Sequence, residues 1–373
     1  MNANLRLTVI QVLPALESGG VERSTLEIAE SLVAAGHRAI VVSRGGRLSP
    51  KLETLGAEHV ALDIGAKSPL VFRHVFALRR LFAESKADIV HARSRLPAWL
   101  AWFALRGMPE AARPRFVTTA HGLNSPSRYS AIMARGERVA CVSNSVRDYL
   151  LRHYPRVDPA KLVVIPRGID PARFPRRPWP DRDMRAQVAA QFPPLGGEGP
   201  LLLLPGRGTR LKGHADALRL LAQLRDSGLD ARLWMPGARE PGREAYMVEL
   251  ESLLQELGIA GAVAMTPPTD AIAAAYAASD LVLQLSRKPE AFGRTVVEAL
   301  SVGRTVLGWD HGGVGELLRE LQSSGAVSPF DEAALASRAR ELLAQPPSPP
   351  ANIPYTLRAM QEATLGLYAE LRD

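Results

Sequence analysis

The chain has 373 residues, 46% of them hydrophobic and 23% charged, which is enough to build two globular domains. It contains 46 Lys and Arg against 38 Asp and Glu, and the net charge of +8 indicates acidic partners: nucleotide phosphates, nucleic acid or an anionic membrane surface. The single cysteine, Cys141, excludes an internal disulfide and any metal cluster built on cysteines.

The N-terminal residues 1–16 combine an early arginine with a short apolar run and lack the order typical of a signal peptide. We interpret this segment as a first strand. The longest strongly apolar stretch, 96–105, has about half the length of a membrane span. We therefore expect a cytoplasmic protein that does not cross the membrane.

Apolar runs that predict strands alternate with amphipathic stretches that predict helices along the whole chain. In the first half the predicted strands are 5–13, 37–43, 87–93, 115–122, 138–143 and 161–170, and the predicted helices are 21–36 and 70–85. In the second half the predicted strands are 201–206, 231–237, 262–266, 281–286 and 305–310, and the predicted helices are 214–228, 243–258 and 270–279. This alternation predicts two α/β domains with parallel sheets, which bind ligands at the carboxyl ends of their strands.

A stretch rich in Pro, Arg and Gly at 171–199 separates the two halves. Such a composition is typical of a connection between domains. We therefore predict a first domain at 1–170, a linker at 171–199 and a second domain at 200–354.

Two carboxylates, Glu290 and Glu298, flank Gly293 in the segment EAFGRTVVEAL. If a helix begins at Gly293, Glu290 lies in the preceding loop and Glu298 in the second helical turn. Both acids then lie beside the unpaired amides of a helix N-terminus, which bind anions. The arrangement suits a ligand with a diphosphate in the middle and hydroxyls on either side. The alternative is a solvated loop acid followed by an amphipathic helix.

Three further loops follow predicted strands. The segment PGRGTRLKG carries Arg207 and Lys212, two cations that can neutralise a diphosphate without a metal, unless the loop is simply solvated. The segment SGGVER carries Gly19 and Gly20, which let a phosphate approach the backbone, although a tight turn also needs glycine. His121 follows the apolar run FVTTA and can donate a hydrogen bond to a hydroxyl or carbonyl; a core histidine is the alternative.

These segments resemble one family over nearly the whole chain: the glycosyltransferases of family 4. The resemblance rests, in chain order, on SGGVER, TAHG, VSNSV, IPRGID, PGRGTRLKG, EAFGRTVVEAL and DHGGVGEL. It implies the GT-B fold, in which two Rossmann-like domains face each other across a cleft. It also implies that the first domain binds the acceptor, that the second binds a nucleotide sugar, and that a C-terminal helix at 355–373 completes the first domain.

The resemblance assigns expected roles at the donor. Arg207 and Lys212 grip the diphosphate, while Glu298 accepts hydrogen bonds from the ribose hydroxyls. Glu290 contacts the transferred sugar and is expected to be catalytic. Backbone amides at the helix start meet sugar and phosphate, and they belong to Phe292, Gly293, Arg294, Thr295 and Val296.

The first half also contributes expected site residues. Gly19 and Gly20 close over the diphosphate, and His121, the second expected catalytic residue, bonds a sugar hydroxyl. The chain departs from the family pattern at Arg167, where asparagine is commoner, and at Ala291, where proline is frequent. It departs again at 294–295, where Arg-Thr replaces an aliphatic pair and suggests an acidic or unusual sugar.

The resulting expectation is a retaining transferase that moves a sugar from a nucleotide diphosphate, such as a UDP-sugar, to a hydroxyl of a glycan or glycolipid. No cofactor and no metal are expected, because side chains supply the cations. Asp181 and Asp183 form a D-x-D pair that binds metal in some sugar transferases, but their place in the linker favours two solvated carboxylates.

Three alternatives remain at this level. One is a sugar-nucleotide epimerase of the same fold, and another is a sugar-binding protein without chemistry. Nucleic-acid binding is suggested only by the net charge, and since no basic strand is interleaved with aromatic residues we expect no nucleic-acid partner.

A membrane-borne acceptor is suggested by two stretches of the first half that combine apolar and basic residues. In 68–82, apolar residues at near-helical spacing are Leu70, Val71, Val75, Leu78 and Phe82, with Arg73, His74, Arg79 and Arg80 among them. In 96–107, Trp99, Trp102 and Phe103 precede Arg106. We expect peripheral attachment to an anionic bilayer and an envelope glycolipid acceptor such as a lipopolysaccharide core. The alternative is that both stretches are helices facing the core of the first domain.

Overall fold

The computed structural model describes residues 6–17 and 19–372. Leu5, Ser18 and Asp373, which belong to the predicted first strand, glycine loop and last helix, lie outside the described residues. The chain divides into two units: Met1–Pro166 with Leu357–Asp373, and Arg167–Thr356.

The first unit is built on a seven-stranded sheet in the order β3-β2-β1-β4-β5-β6-β7. Its strands are β1 Thr8–Val12, β2 Arg38–Ser43, β3 Glu58–Ala61, β4 Ile89–Ala92, β5 Arg115–Ala120, β6 Arg138–Cys141 and β7 Leu162–Val164. Its helices before the second unit are α1 Gly20–Ala34, α2 Ser49–Thr54, α3 His74–Glu84, α4 Arg95–Arg106 and α5 Asn144–His153. All six strand pairings are parallel, so the carboxyl ends of the strands share one edge.

The second unit is built on a six-stranded parallel sheet in the order β10-β9-β8-β11-β12-β13. Its strands are β8 Leu201–Leu203, β9 Arg232–Pro236, β10 Val263–Thr266, β11 Leu281–Gln284, β12 Thr305–Trp309 and β13 Ala326–Val327. Its helices are α6 Arg182–Gln191, α7 His214–Asp226, α8 Glu244–Glu256, α9 Ile272–Ala278, α10 Arg294–Val302, α11 Gly312–Leu321 and α12 Glu332–Ala344. Two Rossmann-like parallel sheets confirm the predicted α/β fold class.

The apolar runs form strands because both faces of each sheet are covered by helices. Every residue of β4, β8 and β11 is buried, which explains why these strands read as continuous apolar runs without alternation. The strand predicted at 161–170 is shorter, since β7 ends at Val164. Pro166 lacks the amide that would extend the ladder.

The C-terminal helix, α13 Leu357–Glu370, belongs to the first unit. It packs along α1, and its buried Tyr368 hydroxyl lies 2.6 Å from His91 Nδ1 on β4. The other ring nitrogen of His91 lies 2.6 Å from Thr119 Oγ1 on β5. This chain of hydrogen bonds joins the end of the sequence to the middle of the first sheet.

The segment predicted as a linker is folded onto the second unit. It contains α6, which packs against α9. Asp181 is only 6% exposed, because its Oδ1 caps α6 by accepting from the Met184 amide at 3.2 Å and its Oδ2 accepts from Arg177 Nε at 2.9 Å. The prediction of a solvated Asp181 is therefore wrong, whereas Asp183 is exposed as predicted.

The apolar stripe at 68–82 is mostly core. Val71, Val75, Leu78 and Phe82 are buried, so the expectation that they face a membrane is wrong for these four residues. Leu70 is 72% exposed. Among the described residues, no helix is long and apolar enough to cross a membrane.

Candidate active site

The loop after β8 is shaped by glycines where the backbone must pass close to its neighbours. Gly213 has a left-handed φ of +77°, and a Cβ there would lie 2.1 Å from the carbonyl oxygen of Leu285. Gly206 has φ +152°, and a Cβ there would lie 3.4 Å from Cδ of the Lys212 side chain. The loop can therefore lie against β11 and present the Lys212 ammonium at the carboxyl edge of the sheet.

Lys212 and Glu290 form an ion pair at this edge. Lys212 Nζ donates to Glu290 Oε1 at 2.5 Å, and the two side chains are 30% and 24% exposed. Ser286 Oγ donates to the same carboxylate oxygen at 2.5 Å. Burial by itself raises the pKa of Glu290, but the Lys212 charge, the hydrogen bonds from Lys212 and Ser286, and His311 together bring it below its ordinary value. Glu290 is therefore a carboxylate at neutral pH.

Other side chains after β11 and β12 fix this pair in place. Gln284 Nε2 lies 3.4 Å from Glu290 Oε2, and His311 Nε2 donates to the Ser286 carbonyl at 2.8 Å. Sequence reasoning missed Gln284, Ser286 and His311 as site residues. The signal that could have found them is their position directly at the carboxyl ends of two adjacent strands.

Helix α10 begins at Arg294, as the glycine break predicted. Gly293 is its N-cap at φ +114°, and a Cβ there would lie 2.9 Å from Val314 Cγ2. No side chain caps the helix at Gly293. Phe292 and Val296 are buried, and the Phe292 ring packs edge-on against Tyr355 at 5.6 Å. Phe292 and Val296 thus anchor the helix N-terminus that follows Glu290 in the chain.

Three predicted site residues of the second unit have surroundings that the sequence did not indicate. Glu298, in the second turn of α10, is 8% exposed and accepts from the Tyr276 hydroxyl at 2.9 Å. Arg294 Nη2 donates to the Gly168 carbonyl at 2.9 Å, so at least part of its role is to hold this unit's first residues. Arg207 is exposed and makes no side-chain hydrogen bond or ion pair within residues 6–17 and 19–372.

Gly19, Gly20 and His121 belong to the first unit. Gly19 is the N-cap of α1 at φ +155°, and a Cβ there would meet the Glu22 carboxylate at 2.5 Å. A Cβ at Gly20 would meet nothing within 4 Å. His121 follows β5 and lines a cavity of about 360 Å³ in this unit. The expected roles of these three residues toward the donor stay predictions.

Comparison with known proteins adds independent findings. Residues 18–173 match Glycosyltransferase Family 4, and residues 189–357 match Glycosyl transferases group 1. The chain belongs to this glycosyltransferase family. Its predicted membership is thereby confirmed, and so is the expectation of a transferase enzyme.

Two solved structures are similar to this family 4 glycosyltransferase over nearly its whole length. A glycosyltransferase from Rickettsia africae superposes with a TM-score of 0.84 at 27% identity, covering 98% of each chain. Anabaena HepE, in complex with UDP and glucose, superposes with a TM-score of 0.77 at 19% identity, covering 98% of this chain and 100% of HepE. These neighbours confirm the GT-B type of the fold.

A D-inositol 3-phosphate glycosyltransferase of Rhodococcus opacus is 30% identical over 219 residues, which cover 58% of this chain and 47% of that protein. The match thus spans about half the length of this curated relative.

The D-x-D pair, Asp181 and Asp183, is the metal-binding candidate in the sequence. Both carboxylate oxygens of Asp181 accept protein hydrogen bonds. Within the described part of the chain, no group of three or more His, Cys, Asp or Glu side chains could hold a metal ion. The expectation of metal-independent activity stays a prediction.

Proposed function

We propose that this chain is a retaining glycosyltransferase that transfers a sugar from a nucleotide diphosphate, in particular a UDP-sugar, to a hydroxyl of a glycan or glycolipid. The observation that carries the proposal is the Lys212–Glu290 ion pair beside the uncapped N-terminus of α10. A fixed cation and a helix N-terminus suit a diphosphate, and a fixed carboxylate suits the sugar attached to it.

The charge of each group determines what it can do in the transfer. The bond between the anomeric carbon and the diphosphate breaks, so negative charge grows on the leaving oxygen and positive charge on the sugar. The negative charge on the leaving oxygen is stabilised by Lys212, Arg207 and the amides of α10. Glu290 is ionised at neutral pH, because Lys212 and Ser286 hold its pKa down against burial. It therefore has no proton to donate and acts by accepting hydrogen bonds from the sugar and stabilising its positive charge.

The proton of the acceptor then needs another base. In front-face attack the departing phosphate oxygen takes this proton while the new glycosidic bond forms on the same face of the sugar. This route needs no enzyme acid and agrees with a Glu290 that is charged at neutral pH. We extend the proposal to metal-independent catalysis, so activity is expected to survive excess chelator.

A membrane-borne acceptor is the finer part of the proposal. Leu70, Phe72, Phe76 and Phe103 of the first unit, which we call the aromatic patch, are between 38% and 72% exposed. The Phe72 and Phe103 rings contact each other edge-on at 6.0 Å.

Four basic residues are close to this patch in the sequence: Arg73, Arg79, Arg80 and Arg106. The Arg79 guanidinium lies over the Phe76 ring at 5.7 Å. Exposed aromatic residues with a basic rim match an anionic bilayer surface. A lipopolysaccharide core as the acceptor remains a prediction.

The test is release of free nucleotide from UDP-sugars by the purified chain, with and without added acceptor. Release that requires the acceptor and yields a product with the donor's anomeric configuration supports the proposal. Conversion of the UDP-sugar to an isomer without acceptor would instead identify an epimerase. Loss of activity in EDTA, restored by Mn²⁺ or Mg²⁺, would overturn metal independence.

A further inference from the structure

The first unit has a cavity of about 360 Å³ at the carboxyl edge of its sheet. Pro14 follows β1, Arg93 follows β4 and His121 follows β5, and all three line it. Strands β1 and β4 are neighbours at the point where the strand order reverses, since β2 and β3 lie on one side and β5 to β7 on the other. Ligands of open parallel sheets bind at such a reversal.

Arg93 is a buried cation on the wall of this cavity. It is 3% exposed, and its guanidinium donates to Gln11 Oε1 through Nε at 3.0 Å and through Nη2. Its Nη1 donates to Ser24 Oγ at 3.4 Å. These acceptors are neutral, whereas a buried charge is ordinarily balanced by an opposite one. Burial lowers the pKa of the guanidinium, and the electrostatic interactions of Arg93 with Tyr368 and Glu27 oppose this effect.

A second guanidinium lies beside the first. Arg95, at the first residue of α4, donates through Nη1 to Ser130 Oγ at 3.2 Å and lies over the Tyr129 ring at 5.2 Å. Its partners are neutral as well. The N-cap, Ser94, makes no side-chain capping bond, so the first amides of α4 add to the positive potential.

The cavity wall therefore combines two arginines with groups that bind hydroxyls. Thr119, His121 and Asn124 line it, and none of the described lining residues is an Asp or Glu. The cavity has the size of a small-molecule site. It has room for a sugar and an excess of positive charge for an anionic substituent on that sugar.

We propose that this cavity binds an oxyanion carried by the acceptor, a phosphate monoester or a carboxylate attached to a sugar ring, through Arg93 and Arg95. The proposal rests on the proposed function, in which the first unit takes the acceptor. It adds a specificity: the acceptor is an anionic sugar, and a neutral sugar of the same size is a poor ligand.

The experiment measures binding of three probes to the full chain by calorimetry: glucose 6-phosphate, glucuronate and methyl glucoside. We expect the two anionic sugars to bind at least about tenfold more tightly than methyl glucoside, as charged hydrogen bonds require. Comparing glucose 6-phosphate with glucuronate distinguishes a phosphate group on the acceptor from a carboxylate. If the natural group is a phosphate, affinity for glucose 6-phosphate exceeds that for glucuronate and falls between pH 7.5 and 5.5, as the second phosphate ionisation near pH 6 is reversed.

Variants assign the binding to this cavity. Arg95→Gln is expected to weaken the binding of both anionic probes on the order of tenfold and to leave methyl glucoside unchanged. Arg115→Gln is the matched control, because Arg115 begins β5 at the opposite edge of the sheet and pairs with Glu137. Arg93→Lys keeps the charge and loses the forked geometry, and its thermal midpoint shows whether it folds.

Equal affinity for anionic and neutral sugars would overturn the inference. So would anionic binding that Arg95→Gln and a folded Arg93→Lys leave at the wild-type value. UDP is titrated in the same samples, so the two proposals fail separately. UDP binding without anionic-sugar binding overturns this inference alone, whereas anionic-sugar binding without UDP binding supports it and removes the donor site of the proposed function.

Discussion

The carboxyl edges of the two sheets carry positive charge in opposite ways. In the second unit Lys212 is paired with Glu290, whose carboxylate also accepts from Ser286. In the first unit Arg93 is more deeply buried, yet its hydrogen-bond acceptors are the neutral Gln11 and Ser24. Lys212 is thus paired with a carboxylate, whereas the hydrogen-bond acceptors of Arg93 carry no charge.

This difference indicates which ligand charges suit the carboxyl edge of each sheet. A balanced cation and carboxylate are held in fixed positions without ligand, and they suit a ligand with both a negative and an incipient positive centre, such as a sugar diphosphate in reaction. An unbalanced buried cation is stabilised when an anion arrives. On these grounds we propose that the reacting donor binds to the second unit and an anionic acceptor to the first.

The largest effect is expected when the carboxylate of the Lys212–Glu290 ion pair is removed. We expect Glu290→Gln to lower turnover on the order of a hundredfold or more, since it removes charge aimed at the transition state. Affinity for free UDP should change much less. Steady-state kinetics and UDP titration measure the two effects, with Glu251→Gln, an exposed acid paired with Arg239, as the control. Equal losses in turnover and UDP affinity would contradict the role assigned to Glu290.

Donor binding should depend on single groups of the second unit. Lys212→Ala and Glu298→Ala are each expected to weaken nucleotide-sugar binding by about 1–3 kcal/mol, for the loss of a charged hydrogen bond. The matched control is Arg210→Ala, which removes an exposed cation of the same loop that pairs with Glu249. Unchanged affinity in both variants would remove the donor-site assignment.

The aromatic patch of the first unit is expected to bind anionic bilayers. A double variant, Phe72→Ser with Phe76→Ser, is expected to lower binding to anionic vesicles about tenfold, because less apolar surface enters the bilayer. Val248→Ser is the control, because Val248 is 61% exposed in the second unit. Co-sedimentation with anionic and neutral vesicles at low and high salt measures this. Binding that is absent, or equal for both lipids, would contradict the membrane proposal alone.

The smallest expected effect concerns the contribution of the Lys212–Glu290 ion pair to the stability of the fold. The folded pKa of Glu290 is lowered, because the Lys212 charge and the Lys212 and Ser286 hydrogen bonds outweigh the effect of burial. Its contribution to the free energy of unfolding is therefore complete above the ordinary glutamate pKa of about 4.3 and is lost as the pH falls through the lower folded value. Thermal midpoints of wild type and Glu290→Gln should differ by a few degrees at pH 7, and the difference should narrow as the pH falls below the ordinary glutamate pKa. A constant difference from pH 7 to 3 would contradict this.

The sequence predicted the fold well where strands are buried on both faces. β1, β4, β8 and β11 are almost wholly buried and mostly apolar, and the sequence predicts them in the right order. β3, Glu58–Ala61, was missed because it is a half-exposed edge strand without an apolar run. The start of the second unit was less predictable, because helix α6 lies in a stretch whose proline and arginine content is typical of a linker.

For the site, the sequence predicted the chemistry of single residues better than their partners. The break at Gly293 followed from its position before a helix, and the structure places it in left-handed backbone. The pairing of Lys212 with Glu290 joins residues 78 positions apart, and nothing in local spacing indicates it. In 68–82, likewise, the helical spacing of the apolar residues does not indicate which of them face the core.

Hydrogen–deuterium exchange of the full chain with one ligand at a time tests the claim that the second unit binds the donor and the first unit binds an anionic acceptor. We expect UDP to slow exchange in 205–213 and 290–298 and to leave 93–98 and 119–122 unchanged. We expect glucose 6-phosphate or glucuronate to slow exchange in 93–98 and 119–122 and to leave 205–213 unchanged. Protection of the same segments by both ligands, or protection of 93–98 by UDP without any effect on 205–213, would contradict the claim.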